Sequence, residues 1–320
     1  MSEDFSRLLS QHVAIARRRT ESERKLAQAR ELVTNGGFFK DPGLTVFLAG
    51  SIGRKDVGAR SDFDPFIVSI KNFDEVQEAE LVGMLDTVNS GLGFEPFSNR
   101  RYIKIYRLPE LLMHTGSPQD DSENSLTARM LLLLESAYLA NGDSYRSVRE
   151  HILSQYFRDE RGKESFRPLF LLNDVLRYWR TLCLNYEDLR HEPNRPWWKK
   201  NANLKFSRMV TVFATVAALT VGEVRGKSDF EPFCELTPLE RLARALDSIG
   251  DQSLMTNFAQ FLDDYEAFLG WKENEHPPGK LGEQDFKAAI TASADRFSDF
   301  LYAVVTHEKI PRARRKYLVI

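Results

Sequence analysis

Strand-like patterning in this chain is confined to its first third, and helical periodicity fills the remainder. LTVFLA at 44–49 is a β-branched and apolar run bounded by Gly43 and Gly50, and FDPFIVSI at 63–70 is a second. RRYIKIYRL at 100–108 alternates basic and apolar residues as a half-exposed strand does. After about residue 124 strand signals nearly vanish. Every segment from SLTARMLLLLESAYLANG to EQDFKAAITASADRFSDFLYAVVT carries apolar residues at three- and four-residue spacing, the signature of amphipathic helices. Segregated strands and helices argue for an α+β architecture. The expectation is a small α/β lobe with a mixed sheet over residues 1–122, followed by an all-α helical bundle lobe over 123–320.

Within the first lobe, Phe5 to Leu32 reads as one amphipathic helix stopped at Asn35-Gly36-Gly37. EVQEAELVGMLDTVNSG reads as a second, with Gly91 as its stop. HEPNRPWW, SDFEPF and ENEHPPGKLG mark loops between the later helices.

At 320 residues the chain is long enough for two domains, each with its own core. The formal charge of −2, from 44 Lys and Arg against 46 Asp and Glu, excludes a global basic field for nucleic acid. A polynucleotide would have to be held by local patches. Two runs qualify, Arg17-Arg18-Arg19 and the group Arg312, Arg314, Arg315 and Lys316. The two cysteines, Cys183 and Cys234, suit reduced thiols in a reducing compartment. The start MSEDFSRLLSQHV lacks the basic and apolar regions of a signal peptide, and the longest apolar run, MLLLL at 130–134, is too short to span a bilayer. The expectation is a cytoplasmic location and no membrane partner.

The stretch AGSIGRKDVGARSDFDPFIV at 49–68 combines a small-residue turn with two aspartates one residue apart. On a strand of period two, Asp62 and Asp64 face the same way, and two adjacent carboxylates need cations or protons to offset their repulsion. Mg²⁺ or Mn²⁺ takes oxygen ligands and commonly bridges carboxylates to substrate phosphates. The Gly50-Ser51 turn offers unhindered backbone and a hydroxyl to the phosphate end. One end of the stretch suits phosphate oxygens, and the other suits the metal that bridges them.

Gly50-Ser51 followed by Asp62-Phe63-Asp64 resembles the signature of the nucleotidyltransferases with a DNA polymerase beta-like fold. The fuller pattern Gly50-Ser51-Ile52-Gly53-Arg54, then Ser61-Asp62-Phe63-Asp64, is similar to the branch containing the uridylyltransferase of bacterial nitrogen regulation and its uncharacterised relatives. Leu126 to Ser136 also looks like that branch's first helix after the catalytic sheet. The resemblance covers about residues 44–140. It implies a nucleotide cleft between two lobes and transfer of a nucleoside monophosphate from a triphosphate to a hydroxyl on a protein, an RNA end, a small molecule or a nucleotide. Asp62 and Asp64 would hold the metal, Gly50 and Ser51 the β and γ phosphates, and Arg54 would orient the loop or neutralise charge.

The sequence departs from the pattern in two places. Pro65 stands where the family has an aliphatic residue, and RRYIKIYRL, the next strand, contains no acid. Glu95 in GLGFEPF is the candidate third metal ligand, by likeness to a Gly-x-Glu segment of the branch. Lys205 and Arg208, one turn apart in NLKFSRMV, are candidates for a clamp on the triphosphate. The rival expectation is a catalytically weak or inactive nucleotide-binding module with a protein partner in a regulatory or defence complex. The missing third acid favours it.

Overall fold

The computed structural model describes residues 3–97, 103–160, 166–188, 190, 201–221, 224–273 and 282–319. It is α+β and 71% helical, with one small four-stranded mixed sheet. Two compact units divide the chain: residues 18–158, which carry the sheet, and residues 1–17 with 159–320, which are helical.

The amino-terminal helix is not continuous. α1 covers Glu3–Gln11 and α2 covers Val13–Gly36, with the break at His12. The His12 imidazole contacts the Leu8 carbonyl at 2.8 Å and Asp263 at 3.3 Å, and the Ala14 N–H donates to the Glu266 carboxylate. A backbone donor of the first turn of α2 is thus satisfied by a distant acid, which lets the helix restart there.

In the sheet unit, β1 (Leu44–Leu48) pairs antiparallel with β2 (Pro65–Ser69), and α3 (Gly50–Arg54) lies between them in sequence. α4 (Glu75–Gly91) starts on a capping box formed by Asp74 and Gln77 and stops at the expected glycine. β3 (Ile105–Arg107) is shorter than its alternation suggested and joins β2 in parallel; residues 100–102 of the expected strand lie outside the described residues. α5 (Leu108–Met113), α6 (Gln119–Ser122) and α7 (Ser125–Leu134) follow.

The helix expected through residue 142 ends at Leu134. Ala137–Ala140 instead forms β4, antiparallel to β1, giving the order β3-β2-β1-β4. The guanidinium of Arg30 donates to the Tyr138 carbonyl on this edge strand and lies 3.7 Å from that ring's centre, so the edge is partly covered. α8 (Gly142–Tyr156) completes the unit. The expected division after residue 122 therefore falls after 158, because β4 is a strand of the same sheet and its neighbours α7 and α8 stay with it.

The sheet buries both faces. Val46, Leu48, Phe63 and Ile67 share a core with Ala29 and Val33 of α2 and Leu81, Leu85 and Val88 of α4. On the other face, Phe47 stacks on Phe66 at 5.3 Å and meets Tyr145 of α8, while Phe66 stacks on Tyr106. Strand alternation thus sends odd and even residues of β2 into different packing layers.

The helical unit contains α9 (Leu169–Asp188), α10 (Met209–Val221), α11 (Lys227–Phe230), α12 (Pro238–Ile249), α13 (Gln252–Glu273), α14 (Glu283–Val305) and α15 (Arg312–Arg315). Phe206, Phe258, Phe261, Phe268, Phe297 and Phe300 form its aromatic core, with Phe261 and Phe297 stacked at 4.0 Å. The described stretch 201–221 is long and apolar enough to cross a membrane, and 72% of the hydrophobic window is buried inside the protein, as in a core helix.

Candidate functional site

β1 ends one residue before the Gly-Ser turn, so the sheet itself delivers Gly50 and Ser51 to its rim. Gly50 has φ +65°, a left-handed backbone that glycine adopts without a Cβ penalty. A Cβ built there would overlap Asp64 Oδ2 and stand 3.2 Å from its Cγ. The absence of a side chain at residue 50 is what makes room for the Asp64 carboxylate. Ser51 is 6% exposed, and its Oγ is buried with no hydrogen-bond partner. Buried hydroxyls usually have partners, so this one marks a place where a ligand oxygen could complete the set.

The two aspartates lie differently from the expectation. Both precede β2, whose first residue is Pro65, so neither is a strand residue. Pairing still reaches Asp64, because the Ala49 N–H donates to its carbonyl at 2.9 Å. That makes Ala49 and Asp64 a hydrogen-bonded pair and leaves the next pair, Leu48 and Pro65, without exchanged bonds. Proline, which has no N–H, starts a strand there without losing a ladder bond, and no kink is needed. Asp62 is exposed and Asp64 half-buried, while Phe63 between them points into the core and stacks on Phe94 and Phe97.

Arg54 does not face the phosphate side. Its Nε donates to Asp56 Oδ2 at 3.0 Å and its Nη1 to Glu135 Oε2 at 2.8 Å, with all three side chains almost completely buried. The contacts fit loop orientation, not ligand contact. A Cβ on Gly53 would overlap the Glu135 carbonyl oxygen, so α3 rests directly on the chain just after α7. The loop from 55 to 61 is fixed as well: Arg18 donates to the Asp56 carbonyl at 2.9 Å, and the Val57 N–H donates to Ser22 Oγ. Asp56 and Glu135 were not singled out from the sequence, and Arg18 was read there only as part of a basic run. The usable signal was the acid ending an apolar helix, at Glu135.

Glu95 is exposed, and its backbone carbonyl accepts from Asn89 Nδ2 at 3.0 Å. Among the described residues no three His, Cys, Asp or Glu side chains are gathered so as to hold a metal ion, so Glu95 does not complete a three-acid group with Asp62 and Asp64. The flanking rings explain its position: Phe94 and Phe97 pack on Phe63, on the opposite side from the layer of Phe66.

Lys205 and Arg208 belong to the helical unit, in a π-helical segment, Leu204–Arg208. There i→i+5 bonding widens the turn, so a three-residue spacing no longer stacks the two side chains as an α-helix would. Lys205 Nζ lies 3.9 Å from Asp295 Oδ1.

No protein-family model, curated protein or solved structure matches this chain. The Asp64 carboxylate lies against Gly50, next in sequence to the buried Ser51 hydroxyl, and the carboxylate oxygens of Asp62 and Asp64 are of the type a hard divalent cation takes.

Proposed function

We propose that the sheet unit is a nucleotidyltransferase of the polymerase beta-like type, moving a nucleoside monophosphate from a nucleoside triphosphate to a hydroxyl acceptor. The observation that carries this reading is the joint placement of the Asp64 carboxylate over Gly50 and the partnerless buried hydroxyl of Ser51.

In this reading the Gly50-Ser51 turn receives the β and γ phosphates, with the Ser51 hydroxyl donating to a phosphate oxygen. Asp62 and Asp64 hold Mg²⁺ or Mn²⁺, which when bound neutralises phosphate charge. The acceptor hydroxyl loses its proton to solvent as its oxygen forms a bond to the α-phosphorus, the bond to the bridging oxygen breaks, and pyrophosphate leaves with that electron pair. Arg54 takes no part in binding; its buried pairs with Asp56 and Glu135 fix α3, and with it the turn. Fixed donors of this kind need no reorganisation when charge develops.

Isothermal titration of a non-hydrolysable triphosphate with Mg²⁺ tests the binding half. Saturable binding lost in the Asp62→Asn/Asp64→Asn variant supports the assignment; equal binding by both proteins contradicts it.

A second reading has one observation in its favour. No third acid joins Asp62 and Asp64 among the described residues, which suits a nucleotide-binding module that serves a regulatory or defence complex without turnover. Binding without transfer would select it.

A further inference from the structure

The two basic runs of the sequence have opposite fates in the structure. At the first, Arg17 pairs with Glu273, Arg19 with Glu23, and Arg18 is buried with its guanidinium on the Asp56 carbonyl. Arg17 and Arg19 are thus offset by acids, and Arg18 is withdrawn from the surface. At the second, Arg314 Nη1 donates to the Thr220 carbonyl at 3.2 Å and Arg315 Nη1 to the Thr306 carbonyl at 3.1 Å. These bonds fix the segment but cancel no charge.

Among the described residues, Arg225, Arg312, Arg314, Arg315 and Lys316 form no ion pair with an acid. The neighbouring acids are otherwise engaged: Glu160 accepts from the Lys227 N–H, and Asp229 Oδ2 from the N–H groups of Arg225 and Gly226. Burial, and after it the positive charges of Arg167 and Arg225, lower the Arg314 pKa. Like charges are thus gathered around a half-buried guanidinium.

The array is held in place. Ile310 is buried, Lys309 Nζ donates to the Ile249 and Gly250 carbonyls, and His307 contacts Asp251. Arg225, Arg312 and Lys316 remain exposed, and Tyr317 follows at 38% exposure.

We propose that Arg225, Arg312, Arg314 and Lys316 form a binding strip for the phosphodiester backbone of a polynucleotide on the helical unit. Guanidinium groups match phosphate with paired hydrogen bonds, and repelling cations on a fixed scaffold are relieved when an anionic chain displaces their counterions. An exposed ring beside them adds a stacking face for a base. The strip stands independently of the nucleotidyl-transfer reading.

Fluorescence anisotropy with labelled single-stranded RNA and DNA 20-mers, titrated with NaCl, tests it. Four contacted phosphates, one for each residue of the strip, predict a slope of log affinity on log salt of about −3. The variant Arg225→Gln/Arg312→Gln/Lys316→Gln replaces only exposed residues and should weaken binding at least about tenfold at ~50 mM salt while flattening the slope. Arg17→Gln/Arg19→Gln should leave both unchanged. Comparing the two polymers shows whether the sugar matters; tight binding of either supports the strip. No binding of either polymer, equal loss in both variants, or binding only to phosphatidylglycerol vesicles would overturn it.

Discussion

The carboxylate of Asp64 occupies the volume that a side chain at Gly50 would need. Fourteen positions of chain separate them, yet the pairing of Ala49 with Asp64 at the ends of β1 and β2 brings them together. The proposed function needs the Gly50-Ser51 turn and the Asp64 carboxylate to be neighbours, and the sheet register makes them so.

Gly50→Ala should lower stability by about 1–2 kcal/mol, because residue 50 needs a left-handed backbone, and the added methyl should displace Asp64. Binding of the magnesium triphosphate should fall further than that backbone cost accounts for. Thermal unfolding and calorimetry on the same protein separate the two effects. A stable variant with unchanged binding would show that the turn does not touch the ligand.

Arg54→Met should destabilise the sheet unit by about 3–5 kcal/mol, since it leaves Asp56 and Glu135 buried without their cation. Arg54→Lys keeps the charge but not the fork, and should fall in between. Urea unfolding gives both values. A loss under about 1 kcal/mol for the methionine variant would mean the buried pairs contribute nothing net.

Acid should weaken the cap of α13. The Ser253 hydroxyl, then the N–H groups of Ser253 and Leu254, hold the Asp251 carboxyl well below the usual carboxylate range. A depressed folded pKa gives stability that is present above the unfolded value of about 3.9 and is lost as pH falls below it. Asp251→Ala should therefore melt below wild type at pH 7, with the gap closing between about pH 4 and pH 2. A gap constant across that range would contradict the assignment.

Glu95→Gln should leave triphosphate binding and stability within about 0.5 kcal/mol of wild type, as surface replacements usually do. Its exposed side chain joins no metal-holding group among the described residues. A selective loss of turnover with binding intact would restore Glu95 as a ligand.

Local signals carried much of the fold. β1 was legible as an apolar run between glycines, the core of β2 as a second apolar run, α4 from its glycine stop, and α12 from a periodic segment that Thr237 and Glu240 cap. The failures are non-local. AYLA after MLLLL continues a helical pattern, and only pairing with β1 makes it a strand. The break at His12 depends on Glu266, 252 residues from Ala14. Gly50, Ser51, Asp62 and Asp64 could be proposed together from the sequence because they lie within one short stretch. The role of Arg54 was not settled there, since Glu135 lies 81 residues away.

The most direct test follows the α-phosphate. Each α-³²P-labelled nucleoside triphosphate is incubated with the full chain, Mg²⁺ or Mn²⁺, and separate pools of protein, RNA, small hydroxyl compounds and nucleotides, and the labelled fraction is identified. The account predicts label on one pool with release of pyrophosphate, and none with Asp62→Asn/Asp64→Asn. Absence of label in every pool, or label transferred equally by the double variant, would contradict it.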